Sequence, residues 1–156
     1  SETGLILPEP SAVYGLYASN GGNRMTSISL NQANRVLRAT LKKAEELEIK
    51  VCAAVCDDGG RLVAFQRMDG AFFAGVYGSQ GKAVASAAFA RPSGVMQERA
   101  DQPTPRGINA ASGGHMIMGQ GAVPLFRNGN LIGAVGVGGG TSQQDEDCAA
   151  AGAAAL

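Results

Sequence analysis

The chain has 156 residues and a formal net charge of zero, with 45% hydrophobic and 17% charged residues. This length can bury one core, and three cysteines without a closely paired motif indicate a reducing compartment, so we expect one cytoplasmic domain. The neutral balance excludes a basic surface for nucleic acid, and no apolar run approaches the ~20 residues of a membrane span.

The first 24 residues differ from the rest of the chain. They hold two prolines and no periodicity, and they close on an Asn20-Gly21-Gly22-Asn23 cluster. We interpret residues 1–24 as an extension, native or expression-derived, and residues 25–156 as a single domain. An ordered arm that packs on the domain or on a neighbouring subunit is the alternative.

A helix and a hairpin follow. Ser29 with Gln32 three residues later is typical of a capped helix start, and apolar residues recur at helical spacing as far as Leu47. An apolar strand over Val51–Cys56, a turn at residues 57–60 and a second strand over Leu62–Arg67 predict a β-hairpin.

A second helix is predicted over Phe73–Phe89, ending before Arg91-Pro92 because the residue before proline disfavours helical dihedrals. Residues 91–112 contain several prolines and are predicted to form a long loop with about one helical turn. A third strand is predicted at His115–Met118.

The last part of the chain predicts a hairpin that leads into a helix. Apolar runs at 122–126 and 131–137 flank Asn128-Gly129, which suits a type I′ turn. Three glycines, 138–140, then precede Thr141, which has capping-box spacing to Gln144. Backbone N–H groups and a helix N-terminus would meet there, which favours an anionic or polar ligand. The whole pattern predicts an α+β fold with a five-stranded, mostly antiparallel sheet flanked by helices.

Three segments carry a family resemblance: LIGAVGVGGGTSQQDE at 131–146, AAVCDDGGRLVAFQRMDGA at 53–71, and GSQGKAVASAAF at 78–89. In this order they resemble the GlcG/HbpS/PduO C-terminal family, over roughly residues 28–156. The resemblance implies a profilin-like fold, a homo-oligomer, and haem binding as in several members. It also implies a place beside glycolate, diol or aromatic catabolism. The Ala- and Gly-rich last helix suits either close helix packing or an oligomer contact.

His115 is the only histidine, and it is therefore the best candidate for a haem iron ligand or a general base. A half-buried strand histidine with one hydrogen bond is the alternative. The family resemblance implies a haem-ligating histidine near the first helix, where this chain has Asn31, Gln32 and Asn34. Either His115 substitutes for it, or this member binds something else.

An anion site is the second candidate. Arg67 closes the second strand, and its guanidinium suits a carboxylate or propionate. Asp69 could orient Arg67 or accept a proton, or the two could be a structural pair. Lys82 lacks the phosphate-loop pattern but could contact an anion. Asp145 suits the first turn of a helix and is also a candidate base. The glycine turn supplies the remaining ligand-binding candidates: Gly138, Gly139, Gly140 and Thr141.

Three functions follow from these candidates. The first is a haem-binding accessory protein that carries, senses or slowly degrades haem. The second is a small cofactor-free enzyme that acts on an organic acid, with Arg67 holding the carboxylate while Asp69, His115 or Asp145 moves a proton. The third is a non-catalytic oligomeric assembly module. A small anionic molecule is the expected partner in the first two.

Overall fold

A computed structural model describes residues 27–156, so the predicted arm at 1–24 lies outside the described residues. The helices and strands follow in the order α1 (Leu30–Glu46), β1 (Cys52–Asp57), β2 (Leu62–Arg67), α2 (Ala74–Phe89), a 3-10 helix (Ser93–Arg99), α3 (Pro103–Ala111), β3 (Ala122–Arg127), β4 (Asn130–Gly138) and α4 (Ser142–Ala154). Within residues 27–156, no helix combines the length and the apolar character that crossing a bilayer needs.

Both predicted capping boxes are confirmed. Ser29 accepts a hydrogen bond from the Gln32 N–H, and the Gln32 side chain accepts one from the Ser29 N–H. Thr141 and Gln144 make the same reciprocal pair at the start of α4. Each box satisfies two backbone donors that a helix start otherwise leaves unpaired, so these two residue pairs fix where α1 and α4 begin.

The sheet is antiparallel and has the order β2-β1-β4-β3. Both hairpins are confirmed, and Asn128 and Gly129 have φ angles of 51° and 78°, as a type I′ turn requires. One of the five predicted strands, the one at His115–Met118, is wrong, and the sheet has four strands. Residues 115–118 belong to no strand, and the Ile117 N–H donates instead to the Gly81 carbonyl of α2.

Residues 91–112 are also more ordered than predicted. They form the 3-10 helix and α3 rather than a long loop. Proline has no N–H and a fixed φ, which interior helix positions cannot accept but the first helical turn can. Pro103 and Pro105 both fall in the first turn of α3, so the prolines mark the start of a helix and not its absence.

Helices cover the two faces of the sheet. The main core lies between the sheet and the α1–α4 pair, and it includes Val55, Val135 and Leu37. Gly152 of α4 lies so close to α1 that a Cβ atom there would be 2.0 Å from the Thr40 Oγ1 atom. At least this small residue of the last helix therefore serves packing within the domain.

The second face is covered by α2 at close range. A Cβ atom on Gly136 of β4 would lie 2.2 Å from the Ser79 carbonyl oxygen of α2. Ala83 and Ala87 of α2 pack on Cys56 and Ala134 beneath them. Because α2 and the strands beneath it both carry small residues, α2 packs closely on β1 and β4. The candidate site lies beside α2, toward β2.

Candidate functional site

A cleft of about 710 Å³ lies between α2, the tip of the β1–β2 hairpin and the segment that precedes residue 118. This volume is in the range of small-molecule and cofactor sites. Apolar side chains supply much of its wall, and Arg61 and His115 also line it. The apolar lining residues include Ala54, Leu62, Tyr77, Val84, Ala88, Met116 and Ile117.

Two glycines present His115 to the cleft. Gly113 and Gly114 have φ angles of 92° and 74°, a region that L-residues rarely adopt. A Cβ atom on Gly113 would lie 3.0 Å from the His115 Nε2 atom, so a side chain there would crowd the imidazole in this position. The His115 side chain is exposed, and its imidazole is therefore available to a ligand.

Asn109 of α3 holds the residue after His115. Its Nδ2 donates to the Met116 carbonyl at 3.0 Å, and its Oδ1 accepts from the Met116 N–H at 2.9 Å. The side-chain amide thus replaces the two bonds that a neighbouring strand would have made. Asn109 was not predicted as a site residue. Its only signal in the sequence is an amide side chain six residues before the lone histidine, and such a pattern is too common to be informative.

The thiol of Cys56 lies on the cleft floor. Burial raises the pKa of Cys56 to about 12. Because only the thiolate is a good nucleophile or metal ligand, Cys56 is inert at neutral pH. Within residues 27–156, no group of three His, Cys, Asp or Glu side chains could hold a metal ion. Among the residues that line this cleft, His115 is the one that offers an imidazole nitrogen.

Lys82 and Asp145 meet each other away from the cleft wall. The Lys82 Nζ lies 3.0 Å from the Asp145 Oδ2, and both side chains are at least nine-tenths buried. The second Asp145 oxygen accepts the Gly140 N–H at 2.8 Å, and Lys82 also donates to the Gln120 carbonyl at 3.4 Å. Two separate candidates in the sequence thus form one ion pair, which joins α2 to α4 and to the glycine turn.

Arg67 and Asp69 lie at the end of β2, and both are exposed. Within the described residues, no ion pair joins them. Arg67 pairs with Cys52 across the sheet, and Cys52 pairs with Gly138 on its other side. Cross-strand partners point to the same face, so Arg67 and Gly138 share a face two strands apart. Burial raises the pKa of the Cys52 thiol, and the charge of Arg67 partly offsets this.

The sequence model of the family described as haem degrading protein HbpS-like matches residues 28–154. The chain belongs to this family. It is 32% identical over 128 residues to an uncharacterized 15.0 kDa protein from the dhaT–dhaS intergenic region of Citrobacter freundii, covering 81% of this chain and 89% of that protein. It is 34% identical over 110 residues to protein GlcG of Escherichia coli K12, covering 70% and 80%.

A solved structure described as a PduOC–haem complex has the same fold as this HbpS-like chain. The two superpose with a TM-score of 0.75 at 26% sequence identity, covering 83% of this chain and 95% of that one. The GlcG/HbpS/PduO resemblance is thereby confirmed.

The predicted site residues of this HbpS-like chain fall into three places. His115 lines the cleft, Lys82 and Asp145 are joined beside Gly140, and Arg67 and Asp69 are exposed at the end of β2. Thr141 is exposed, and its hydroxyl caps α4. The catalytic and ligand-binding roles given to these residues stay predictions, and His115 is the one that lies in a cleft of cofactor size.

Proposed function

We propose that this HbpS-like protein binds haem in the cleft beside α2, where the His115 imidazole would hold the iron. The observation that carries the proposal is the exposed imidazole of His115 on the wall of an apolar cleft of about 710 Å³. Membership of the HbpS-like family and the likeness to a PduOC–haem complex support it.

The lining residues fit the chemistry of a haem. A porphyrin plane needs apolar walls, which Leu62, Val84 and Ile117 provide, and its iron needs a nitrogen donor. Its propionates need a cation at the mouth, and the Arg61 guanidinium is exposed there. The Arg61 side chain makes only a weak ion pair, because its Nη1 atom lies 4.0 Å from the Asp57 Oδ2 atom. Haem, when bound, would supply redox and oxygen chemistry. The chain would supply a nitrogen donor for the iron and an apolar surface around the porphyrin.

A haem titration followed by absorbance tests the proposal. Wild-type protein should give a saturable Soret band of the histidine-ligated type. His115→Ala should weaken binding by about tenfold or more and shift the band, because the remaining donors in the cleft are weak. If His115→Ala keeps both the affinity and the histidine-type spectrum, the assignment is wrong.

Arg67→Lys is the matched control. Arg67 does not line the cleft, so this variant should bind haem as the wild type does. A loss of binding in Arg67→Lys, with His115→Ala unaffected, would place the ligand beside the glycine turn instead. Absence of haem binding in all three proteins would favour the organic-acid enzyme or the assembly module, both of which remain predictions.

Haem degradation by this chain is a narrower form of the same proposal. Arg61 and His115 are exposed where they line the cleft, so peroxide or oxygen could reach a ligand bound there. Decay of the Soret band on addition of hydrogen peroxide, with release of iron to a chelator, would support degradation. A stable band under the same conditions would leave haem carriage or sensing.

A further inference from the structure

A second cavity, of about 480 Å³, lies apart from the cleft beside α2, and Ser27 on its wall donates a hydrogen bond to Asp58 of that cleft. We call it the arginine pocket, after its three guanidinium groups. It is formed by the start of α1 and the end of β3, and its lining residues are Ser27, Ser29, Asn31, Gln32, Arg35, Arg38 and Arg127.

The helical repeat places three polar side chains in one row of the pocket. Asn31, Arg35 and Arg38 stand at positions i, i+4 and i+7 of α1, so they lie on one face of the helix. All three are exposed, and their polar ends can therefore turn toward a ligand. Each arginine carries several N–H donors in a planar fork, which binds phosphate or carboxylate oxygens in pairs.

The third arginine is held from the other wall. Arg127 ends β3, one residue before the tight turn, and its Nη2 donates to the Gln32 Oε1. The same oxygen accepts from the N–H and the hydroxyl of Ser29. The capping box of α1 thus also fixes Arg127, and the rest of its fork remains available to the cavity.

The charges in the pocket are not balanced by its lining. Seven side chains line it, and three are cations while none is a carboxylate. Within residues 27–156, none of the three arginines takes part in an ion pair. Asp58 reaches the rim only as the acceptor of the Ser27 hydroxyl, at 3.0 Å. Three cations that line one cavity without a carboxylate repel one another, and a multiply charged anion would relieve that repulsion.

We infer that the arginine pocket binds a multiply charged oxyanion, either a phosphate group or a polycarboxylate, at a site distinct from the haem cleft. A monocarboxylate could engage only one fork well. Three forks and the Asn31 amide match a group with oxygens on several sides. The inference does not depend on haem binding, since the two cavities share no lining residue.

Calorimetric titration of the whole chain with pyrophosphate, citrate and acetate at one fixed ionic strength tests the inference. Pyrophosphate or citrate should bind saturably with one site per chain, and acetate should not. Tighter binding of pyrophosphate would identify the ligand as a phosphate group, and tighter binding of citrate would identify it as a polycarboxylate. Failure of both anions to bind saturably with a dissociation constant of about 1 mM or tighter would overturn the inference.

The variants Arg35→Gln and Arg38→Gln provide the structural test. Both residues are exposed, so the fold should be retained, and the double variant should bind the preferred anion at least about tenfold more weakly. Arg106→Gln removes one positive charge from the exposed face of α3 and should change the affinity by less than about twofold. An equal loss in Arg106→Gln would mean general charge attraction and would also overturn the inference. Arg127→Lys adds a further variant that keeps the charge and loses the fork.

Discussion

At the scale of single residues, Lys82 and Asp145 are two predicted site residues that form an ion pair with each other. Each is buried, and each is the other's charge partner at 3.0 Å. A buried ion pair adds little net stability against an apolar pair of the same shape, but a lone buried charge is costly. The pair therefore makes the position of the glycine turn dependent on both residues at once.

Replacing one member should destabilise the domain strongly. Asp145→Asn keeps an acceptor for the Gly140 N–H but leaves the Lys82 ammonium buried without a counter-charge. We expect a fall of about 3–5 kcal/mol in the free energy of unfolding, measured by urea denaturation.

The double variant Lys82→Met/Asp145→Asn removes both charges and should recover part of that loss. Lys43→Gln is the matched control, because the Lys43–Glu46 pair is partly exposed, and the free energy should change there by less than about 1 kcal/mol. Lys82→Met alone completes the comparison. If the double variant loses as much free energy of unfolding as the two single variants lose together, the two charges do not interact.

At the scale of elements, the segment that carries His115 depends on α3. The segment has no strand partner within the described residues, and the Asn109 side chain and the Gly81 carbonyl make the bonds that a strand would have made. A loop held by a few bonds opens at lower free energy than a core strand does.

Asn109→Ala should therefore loosen the His115 segment without unfolding the domain. The Met116 amide should exchange its hydrogen at least about tenfold faster, and haem affinity should fall because the imidazole is no longer held in place. Hydrogen exchange read by NMR, together with the haem titration, measures both. Asn130→Ala, at an exposed hairpin end, should alter neither. Unchanged protection of Met116 in Asn109→Ala would contradict this role.

Local signals in the sequence were sufficient to predict the elements that are specified locally. Ser29 with Gln32, Thr141 with Gln144, and Asn128-Gly129 each act within four residues, and all three features are confirmed. The strand at His115–Met118 was wrong because a short apolar run does not reveal its hydrogen-bond partner. That partner, Asn109, is on α3, where the prolines had led to the prediction of a loop.

The candidate site was harder to predict because its parts are distant in the sequence. Lys82 and Asp145 are 63 residues apart, and no periodicity connects them. Arg127 and Gln32 are 95 residues apart, so the arginine pocket exists only after the end of β3 has met the start of α1. His115 could be selected because it is the sole histidine, which is a matter of composition rather than of spacing.

At the scale of the whole molecule, three large aromatic side chains are left on the surface near the start of α2. Phe72, Phe73 and Tyr77 are 77%, 70% and 69% exposed. Contiguous exposed apolar surface of this kind commonly marks an interface. The expected homo-oligomer is thus better supported here than at α4, where Gly152 already packs against α1.

We expect the protein to be a homo-oligomer at micromolar concentration, with these aromatic residues at its interface. Light scattering on a sizing column measures the mass. The double variant Phe72→Ser/Phe73→Ser should shift the mass toward that of the monomer, while Val95→Ser, at an exposed position in the 3-10 helix, should not. A wild-type mass equal to that of a single chain would refute the expectation.

The sheet order has a consequence for synthesis on the ribosome. β1 lies between β2, its neighbour in the chain, and β4, whose pairing residues begin at Gly133. At 5–20 residues per second, about 4–15 s pass between completion of β1 and the arrival of its second partner. During that interval the β1 strand of a newly made β1–β2 hairpin has an unpaired edge, so the nascent chain is most open to aggregation until β4 has been translated.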